Sequence, residues 1–136
     1  RGWQQDRWIY FYHNGGPVVV VDEARGPVGA KGAVAWHLVD GKEAGAYRFR
    51  LGRVSGSAEV LLLPLDGYGE MEVLGHTASS FGLNVTYNSI YPLCRVATVF
   101  LFGPWVGAEV GIEQGKMRVV RDGQIILFPV TEVTQR

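Results

Sequence analysis

Asp-Gly pairs constrain this chain more than any other feature of its sequence. The pair occurs at positions 40, 66 and 122, each time between two apolar runs. Asp-Gly accepts the positive φ angles of a type I′ turn, whose twist matches that of the two strands it connects. No segment of a dozen residues shows a 3.6-residue apolar period, and the 19 glycines would destabilise any helix that they interrupted. The sequence therefore predicts an antiparallel, all-β fold.

The clearest strands lie in the last third of the chain. Residues 95–102 are β-branched and aromatic and stop at Gly103-Pro104, which is typical of a buried strand. Residues 116–121 and 124–128 flank the third Asp-Gly and predict a hairpin. Earlier runs have strand composition at 8–12, 18–21, 33–39, 46–51, 58–63 and 70–74, whereas 23–32 and 76–83 have loop composition. About eight to ten short strands of this spacing predict an antiparallel, jelly-roll-like β-sandwich.

Length and charge limit the possible partners. We expect one domain over residues 1–136, which is long enough to bury a core of its own. Thirteen basic and thirteen acidic residues cancel, and only 19% of the chain is charged. Nucleic acid is therefore not expected as a main partner, whereas self-association is favoured. With so little charge to cover its surface, we expect some apolar surface to contact another protein.

A membrane segment and a disulfide framework are both excluded by the pattern. The longest apolar run, residues 96–102, is too short to span a membrane, and no signal-peptide pattern opens the chain. Cys94 is the only cysteine, so it has no internal disulfide partner, and it is typical of a small buried side chain. We expect a soluble intracellular protein unless it is assembled into a larger particle.

The reactive side chains do not form a recognisable site. His13, His37 and His76 lack the spacing of metal ligands. No Gly-x-Ser-x-Gly turn marks a nucleophilic serine, and residues 26–32 lack the Lys-Ser/Thr end of a phosphate-binding loop. We therefore predict no catalytic residue, no cofactor and no metal site, in a protein that is not an enzyme.

Aromatic side chains are the best candidates for an interaction surface. Tryptophan and tyrosine are enriched at protein interfaces and at sites that stack on sugars. The alternative, which the sequence leaves open, is that these rings pack on the domain's own core. The candidate interface residues are Trp3, Trp8, Tyr10, Tyr12 and Trp105.

Two segments resemble the capsid proteins of picorna-like viruses. Residues 85–89 (VTYNS) and 95–99 (RVATV) are similar to the segment that precedes and enters a late strand of those proteins. Residues 117–129 (MRVVRDGQIILFP) are similar to their closing strand. The resemblance implies a jelly roll that assembles with copies of itself or with sibling capsid subunits, without catalysis. It also implies a location in the virion, assembled in the host cytoplasm, with a host receptor or glycan as a possible partner.

The first functional hypothesis is accordingly a structural, self-assembling protein. It would be a viral capsid, projecting-domain or decoration subunit that acts through protein–protein interfaces. The alternative is a β-sandwich or barrel that binds a carbohydrate or another ligand by stacking it on Trp8, Trp36 or Trp105. A small enzyme is a third possibility, and a pocket with a paired histidine and carboxylate would favour it.

Overall fold

The computed structural model describes residues 4–13, 15–27, 32–38, 42–45, 47–51, 58–65, 69–75, 83–89 and 93–130. The described residues form twelve strands and one 3₁₀ turn, Gly103–Trp105, which confirms the predicted all-β sandwich. The strands are β1 Gln4–Phe11, β2 Val18–Arg25, β3 Gly32–Leu38, β4 Lys42–Gly45, β5 Arg48–Leu51, β6 Ala58–Pro64, β7 Gly69–Gly75, β8 Leu83–Ser89, β9 Leu93–Phe102, β10 Glu109–Glu113, β11 Lys116–Arg121 and β12 Gln124–Phe128.

A six-stranded antiparallel sheet forms the middle of the fold. Its strand order is β1-β2-β9-β6-β5-β4, so β9 pairs with β2 on one side and with β6 on the other. Val96, Ala97, Val99 and Leu101 of β9 have no exposed surface. The predicted buried strand at residues 95–102 is therefore confirmed, and it is long and apolar because both of its faces are covered.

Two three-stranded sheets cover opposite faces of the six-stranded sheet. The C-terminal sheet has the order β10-β11-β12, and the other has the order β3-β8-β7. One core joins the six-stranded sheet to the C-terminal sheet and contains Val19, Val21, Leu61, Ala97, Val99, Leu101, Met117, Val119, Ile126 and Phe128. A second core lies on the opposite face and contains Ala24, Leu38, Phe49, Val60, Leu62, Cys94 and Val96.

Charged residues extend β2 beyond the predicted strand. The expected loop began at residue 23, but β2 continues to Arg25. Glu23 is buried, and its Oε1 accepts a hydrogen bond from Arg25 Nε at 3.0 Å, while Arg95 Nε lies 3.6 Å from its Oε2. Paired in this way, Glu23 does not have to reach water, and the strand continues in a segment whose composition resembles a loop.

Only one of the three Asp-Gly pairs joins neighbouring strands of one sheet. Asp122 and Gly123 have φ angles of 47° and 79° between β11 and β12, which confirms the predicted hairpin. The pairs at positions 40 and 66 lie outside the described residues. Each of those two stands between strands of different sheets, β3 and β4 in one case and β6 and β7 in the other.

Candidate interaction surfaces

The aromatic residues predicted for an interface lie mainly between the two sheets of the first core. Trp8 and Tyr10 are half-buried against that core, and the Tyr10 ring meets Phe128 edge-on with ring centres 6.4 Å apart. Trp105 is 5% exposed and Tyr12 is 39% exposed, and their rings also meet edge-on at 6.4 Å. Trp3 lies outside the described residues. The interface role of these residues stays a prediction, with Tyr12 the most accessible of the four described rings.

Two exposed apolar side chains of the described residues lie on the edge strand β1. Phe11 is 74% exposed and Ile9 is 50% exposed. Side chains alternate along β1, so Trp8 and Tyr10 face the first core while Ile9 and Phe11 face the opposite side of the sheet. Aliphatic and aromatic side chains at the edge of a sheet are a recognised site of association with another chain. These two residues were not predicted as interface residues, because the sequence alone does not show which set of alternating side chains on this strand faces the core.

A second apolar area lies on the solvent side of the C-terminal sheet. Ile125 and Leu127 are 52% and 53% exposed, while Ile126 and Phe128 between and beside them are buried. Val120 lies opposite Ile125 in the ladder and therefore on the same side. We name Val120, Ile125 and Leu127 the outer apolar face.

Charged residues border the outer apolar face. Arg118 lies opposite Leu127 in the ladder, and its Nε is 3.7 Å from Glu113 Oε1. A hollow of about 220 Å³ beside this pair is lined by β10 and by Arg118. The area thus combines an apolar centre with a polar border, which is the usual anatomy of a protein–protein interface.

A fully buried carboxylate ties the six-stranded sheet to the segment that enters β10. Glu59 of β6 has no exposed surface, and its Oε1 accepts hydrogen bonds from Arg48 Nη1 at 2.6 Å and from the backbone N–H of Gly107 at 2.5 Å. Its Oε2 accepts a hydrogen bond from Arg50 Nη2 at 3.2 Å. Arg48 also donates to the carbonyl oxygen of Ala108 at 2.7 Å. The network fixes the backbone beside the outer apolar face to β5 and β6.

The pKa of Glu59 lies below its ordinary value. Burial alone would raise the pKa of this carboxyl group. The hydrogen bonds from Gly107 and Arg50, together with the charge and hydrogen bond of Arg48, outweigh burial and lower it. Glu59 is therefore ionised at neutral pH and acts as a structural anion, because a general acid would need the opposite shift.

A cleft of about 330 Å³ opens where β1 and β2 approach β3. It is lined by Gln5, Asp6, Arg7, Asp22, Glu23, Ala24 and Ala35. Arg7 Nε donates to Asp22 Oδ1 at 2.6 Å, and its guanidinium lies 5.4 Å from the centre of the Trp36 ring. The Trp36 Nε1 donates to Thr98 Oγ1 at 3.0 Å. One face of the Trp36 ring is thus covered by a cation, which leaves that face unavailable for stacking on a sugar.

The predicted reactive residues are not brought together in the described part of the chain. No group of three or more His, Cys, Asp or Glu side chains is arranged there to hold a metal ion. Cys94 is fully buried and His13 is exposed. The side chain of His37 and the whole of His76 lie outside the described residues. Across the same described ranges, no helix is long and apolar enough to cross a membrane.

The Glu59 network was not predicted, although the sequence contains a signal for it. A single acidic residue stands inside the apolar run at residues 58–63. Carboxylates are almost never fully buried unless they are paired, so this position predicts a cationic partner. The alternating Arg48 and Arg50 of the preceding strand, β5, supply it.

Comparisons with known proteins give structural neighbours only. No family model and no curated protein matches the chain. A solved structure of a heparinase III gene product has a TM-score of 0.69 with 14% sequence identity, covering 93% of this chain and 23% of its own. A structure of the same gene product with methylated lysines has a TM-score of 0.64 with 17% identity, covering 94% of this chain and 23% of its own.

These neighbours support the fold and show nothing about activity, because unrelated functions share one fold. The chain spans about a quarter of the length of the heparinase III chains, since the match covers 23% of each. Both neighbours are heparinases and neither is a capsid protein. The capsid, virion and self-assembly expectations therefore remain predictions, and the β-sandwich is what the comparisons support.

Proposed function

We propose that this chain is a β-sandwich module of a larger carbohydrate-processing protein, in which it packs against another domain and does not carry the chemistry. The supporting observation is the likeness of nearly the whole chain, 93%, to a part that makes up 23% of a heparinase III chain. A domain that recurs as one quarter of an enzyme normally meets the remaining domains through part of its surface. The remaining three quarters would then supply the active site.

The outer apolar face is the surface that we assign to this contact. Ile125 and Leu127 each expose about half of their side chain. Full burial of such a side chain contributes about 1.5–3 kcal/mol, so covering the exposed halves of these two contributes about 2 kcal/mol in total. Arg118 and Glu113 at the border would give the contact its orientation, as polar rims do in interfaces between domains.

The ion pairs of the described residues agree with a structural role for this module. Two buried carboxylates of the described chain belong to structural pairs, Glu59 with its two arginines and Asp22 with Arg7. The described residues also hold no candidate metal cluster.

Carbohydrate binding by the module itself has less support. Of the three tryptophans proposed to stack on a sugar, Trp105 is 5% exposed and has Arg121 at 5.5 Å from its ring centre. Trp36 carries Arg7 at 5.4 Å, and Trp8 packs on the first core. A sugar that stacked on these rings would have to displace an arginine or a core neighbour.

The proposal is tested on the natural gene product. We expect a polypeptide several times longer than 136 residues that depolymerises heparin or another acidic polysaccharide, measured by size-exclusion chromatography. The isolated 136-residue chain should leave the polysaccharide intact. The proposal would be refuted by a gene product that consists of this chain alone. It would also be refuted by a longer gene product that is inactive on a panel of polysaccharides.

The docking surface is tested in the same long polypeptide. Replacing Ile125 and Leu127 by lysine should destabilise the contact between domains and make the linker more sensitive to limited proteolysis. Gln124→Lys is the matched control, because Gln124 is an exposed polar residue on the same strand. Equal proteolysis of both variants would place the contact elsewhere on the module.

A further inference from the structure

Among the described strands, β1 forms one edge of the six-stranded sheet. It is the first strand in the sheet order, and no other described strand pairs with its outer side. It is eight residues long and pairs with β2 along its whole length. An edge of this length presents a row of backbone donors and acceptors that can accept another strand.

The hydrogen-bond phase of β1 shows which residues face outward. The Tyr12 backbone N–H donates to the Pro17 carbonyl oxygen at 3.2 Å, in the register that continues the β1–β2 ladder. Hydrogen-bonded and non-hydrogen-bonded pairs alternate along an antiparallel ladder. Counting back from Tyr12, the backbone groups of the odd-numbered residues therefore point away from β2. These residues are Gln5, Arg7, Ile9 and Phe11.

The same four residues also have exposed side chains. All four are exposed, whereas Trp8 and Tyr10 between them are half-buried. Phe11 at 74% and Ile9 at 50% are large apolar groups that a neighbouring strand would shield from water. Backbone pairing capacity and exposed apolar surface thus coincide on one edge.

We propose that β1 pairs in antiparallel fashion with β1 of a second copy of this chain across a two-fold axis. The contact joins two six-stranded sheets into one continuous sheet of twelve strands. In the register that we assign, Trp8 lies on the axis opposite Trp8 of the partner subunit, and Ile9 lies opposite Arg7 of the partner subunit. The inference is independent of the proposed function, since a module of a larger protein can dimerise as well.

Charge selects this register. Residues whose backbone groups point outward must pair with residues of the same kind in the partner subunit. The full overlap of the two β1 strands breaks this rule, and the two registers shifted from it by one residue come nearest to it. In one of them, Arg7 lies directly opposite Arg7 of the partner subunit, and like charges in that position are destabilising. In the other, which we assign, Arg7 and Gln5 lie opposite Ile9 and Phe11, so no two like charges face each other.

A second copy fits this edge better than an unrelated chain of high charge. The chain carries 13 basic and 13 acidic residues, so two copies approach without net repulsion. A two-fold contact is self-complementary by construction, and the assigned register meets that requirement with apolar and aliphatic contacts on both sides. The stem of Arg7 supplies aliphatic surface against Ile9 while its guanidinium keeps its bond to Asp22.

The experiment is sedimentation equilibrium of the 136-residue chain with matched charge variants. The unaltered chain should show a monomer–dimer equilibrium. Ile9→Lys should weaken dimerisation at least tenfold, because the new lysine faces Arg7 of the partner subunit. Ile9→Glu should dimerise at least as well as the unaltered chain, since the carboxylate faces that arginine. Leu127→Lys, on the outer apolar face, should leave dimerisation unchanged.

Cysteine pairs test the register directly. Under mild oxidation, Gln5→Cys combined with Phe11→Cys should form covalent dimers, because these positions face each other in the assigned register at a Cα separation that suits a disulfide. Gln5→Cys combined with Ile9→Cys reports the rejected register, in which Arg7 lies opposite Arg7 of the partner subunit. This pair should cross-link at least tenfold less. The buried Cys94 serves as the background when it is the only thiol.

Several outcomes would overturn the proposal. A chain that remains monomeric at every concentration excludes the dimer. Equal weakening by Ile9→Lys and Ile9→Glu indicates a non-specific apolar contact and excludes the assigned strand pairing. A dimer that is lost in Leu127→Lys and retained in Ile9→Lys places the contact on the C-terminal sheet. Near-ultraviolet circular dichroism of each variant confirms that the fold is retained.

Discussion

Replacing Glu59 by glutamine should cost this small protein a large share of its stability. The carboxylate is fully buried and accepts hydrogen bonds from Arg48, Arg50 and the Gly107 N–H. Removing one partner of a buried ion pair costs about 3–5 kcal/mol. Arg50 is 55% exposed, so water weakens its interaction with the carboxylate, and glutamine retains one acceptor oxygen. We therefore expect the free energy of unfolding to fall by about 2–3 kcal/mol.

The loss should depend on pH with a definite sign. Because the pKa of Glu59 is lowered in the folded state, its ionisation stabilises the fold above the ordinary glutamate pKa. That contribution disappears as the pH falls through the folded-state pKa, where Glu59 becomes neutral like the glutamine that replaces it. The difference in stability between the two proteins should therefore be full at about pH 7 and should shrink steadily as the pH falls below the ordinary glutamate pKa.

The assay is urea unfolding followed by tryptophan fluorescence at several pH values. Glu113→Gln is the matched control, because Glu113 is 68% exposed and lies 3.7 Å from Arg118, and its loss should cost less than about 0.5 kcal/mol. If Glu59→Gln unfolds within about 0.5 kcal/mol of the unaltered chain at neutral pH, or if its deficit does not change with pH, the reasoning about the buried network is wrong.

Two further predictions concern a turn and the second core. Gly123→Ala should lower the free energy of unfolding by about 1 kcal/mol, because Gly123 has a φ of 79°. Gly111→Ala is the control and should be near neutral, since open space surrounds that position. Equal effects of the two substitutions in thermal unfolding would contradict this prediction. Leu62→Ala should lower the free energy of unfolding by about 2–5 kcal/mol, because Leu62 is fully buried. Leu127 is half exposed, so Leu127→Ala should lower it far less, as measured by urea unfolding. A similar loss of stability in both variants would contradict the assigned core.

The buried strand and the final hairpin were predictable because their signals are local. Residues 95–102 are apolar on both faces, which is typical of a strand covered by two layers. Asp122 and Gly123 specify their turn through their own φ angles. In both cases the information lies within a dozen residues, so a single sequence is sufficient to recover it.

Features that depend on distant partners were not predictable in the same way. β2 continues through Glu23 because Arg25 and Arg95 surround that carboxylate, and Arg95 is far away in the sequence. Tyr47 was expected within a strand, but it stands in a turn with a φ of 58° and is 46% exposed. Local composition does not show which strands are neighbours in the sheet, so the environments of these residues could be determined only from the structure.

The candidate interaction surface on β1 was also only partly predictable from the sequence. The sequence indicated that aromatic residues near the start of the chain were important, and it also offered the alternative that they pack on the core. The structure packs Trp8 and Tyr10 against the core and exposes Ile9 and Phe11 beside them. Choosing between the two sets required the direction of each side chain, which alternation defines only after one residue has been assigned to a face.

The position of β9 has a consequence for how the chain is made. Its ladder joins Val18 to Phe100, so the centre of the largest sheet closes only after about three quarters of the chain exists. Until then β2 and β6 each lack their inner neighbour, and long-range pairing of this kind is slow. During synthesis on the ribosome, the emerging polypeptide would hold two apolar edges open to other nascent chains, so its yield in a cell should depend on chaperones and on the rate of translation.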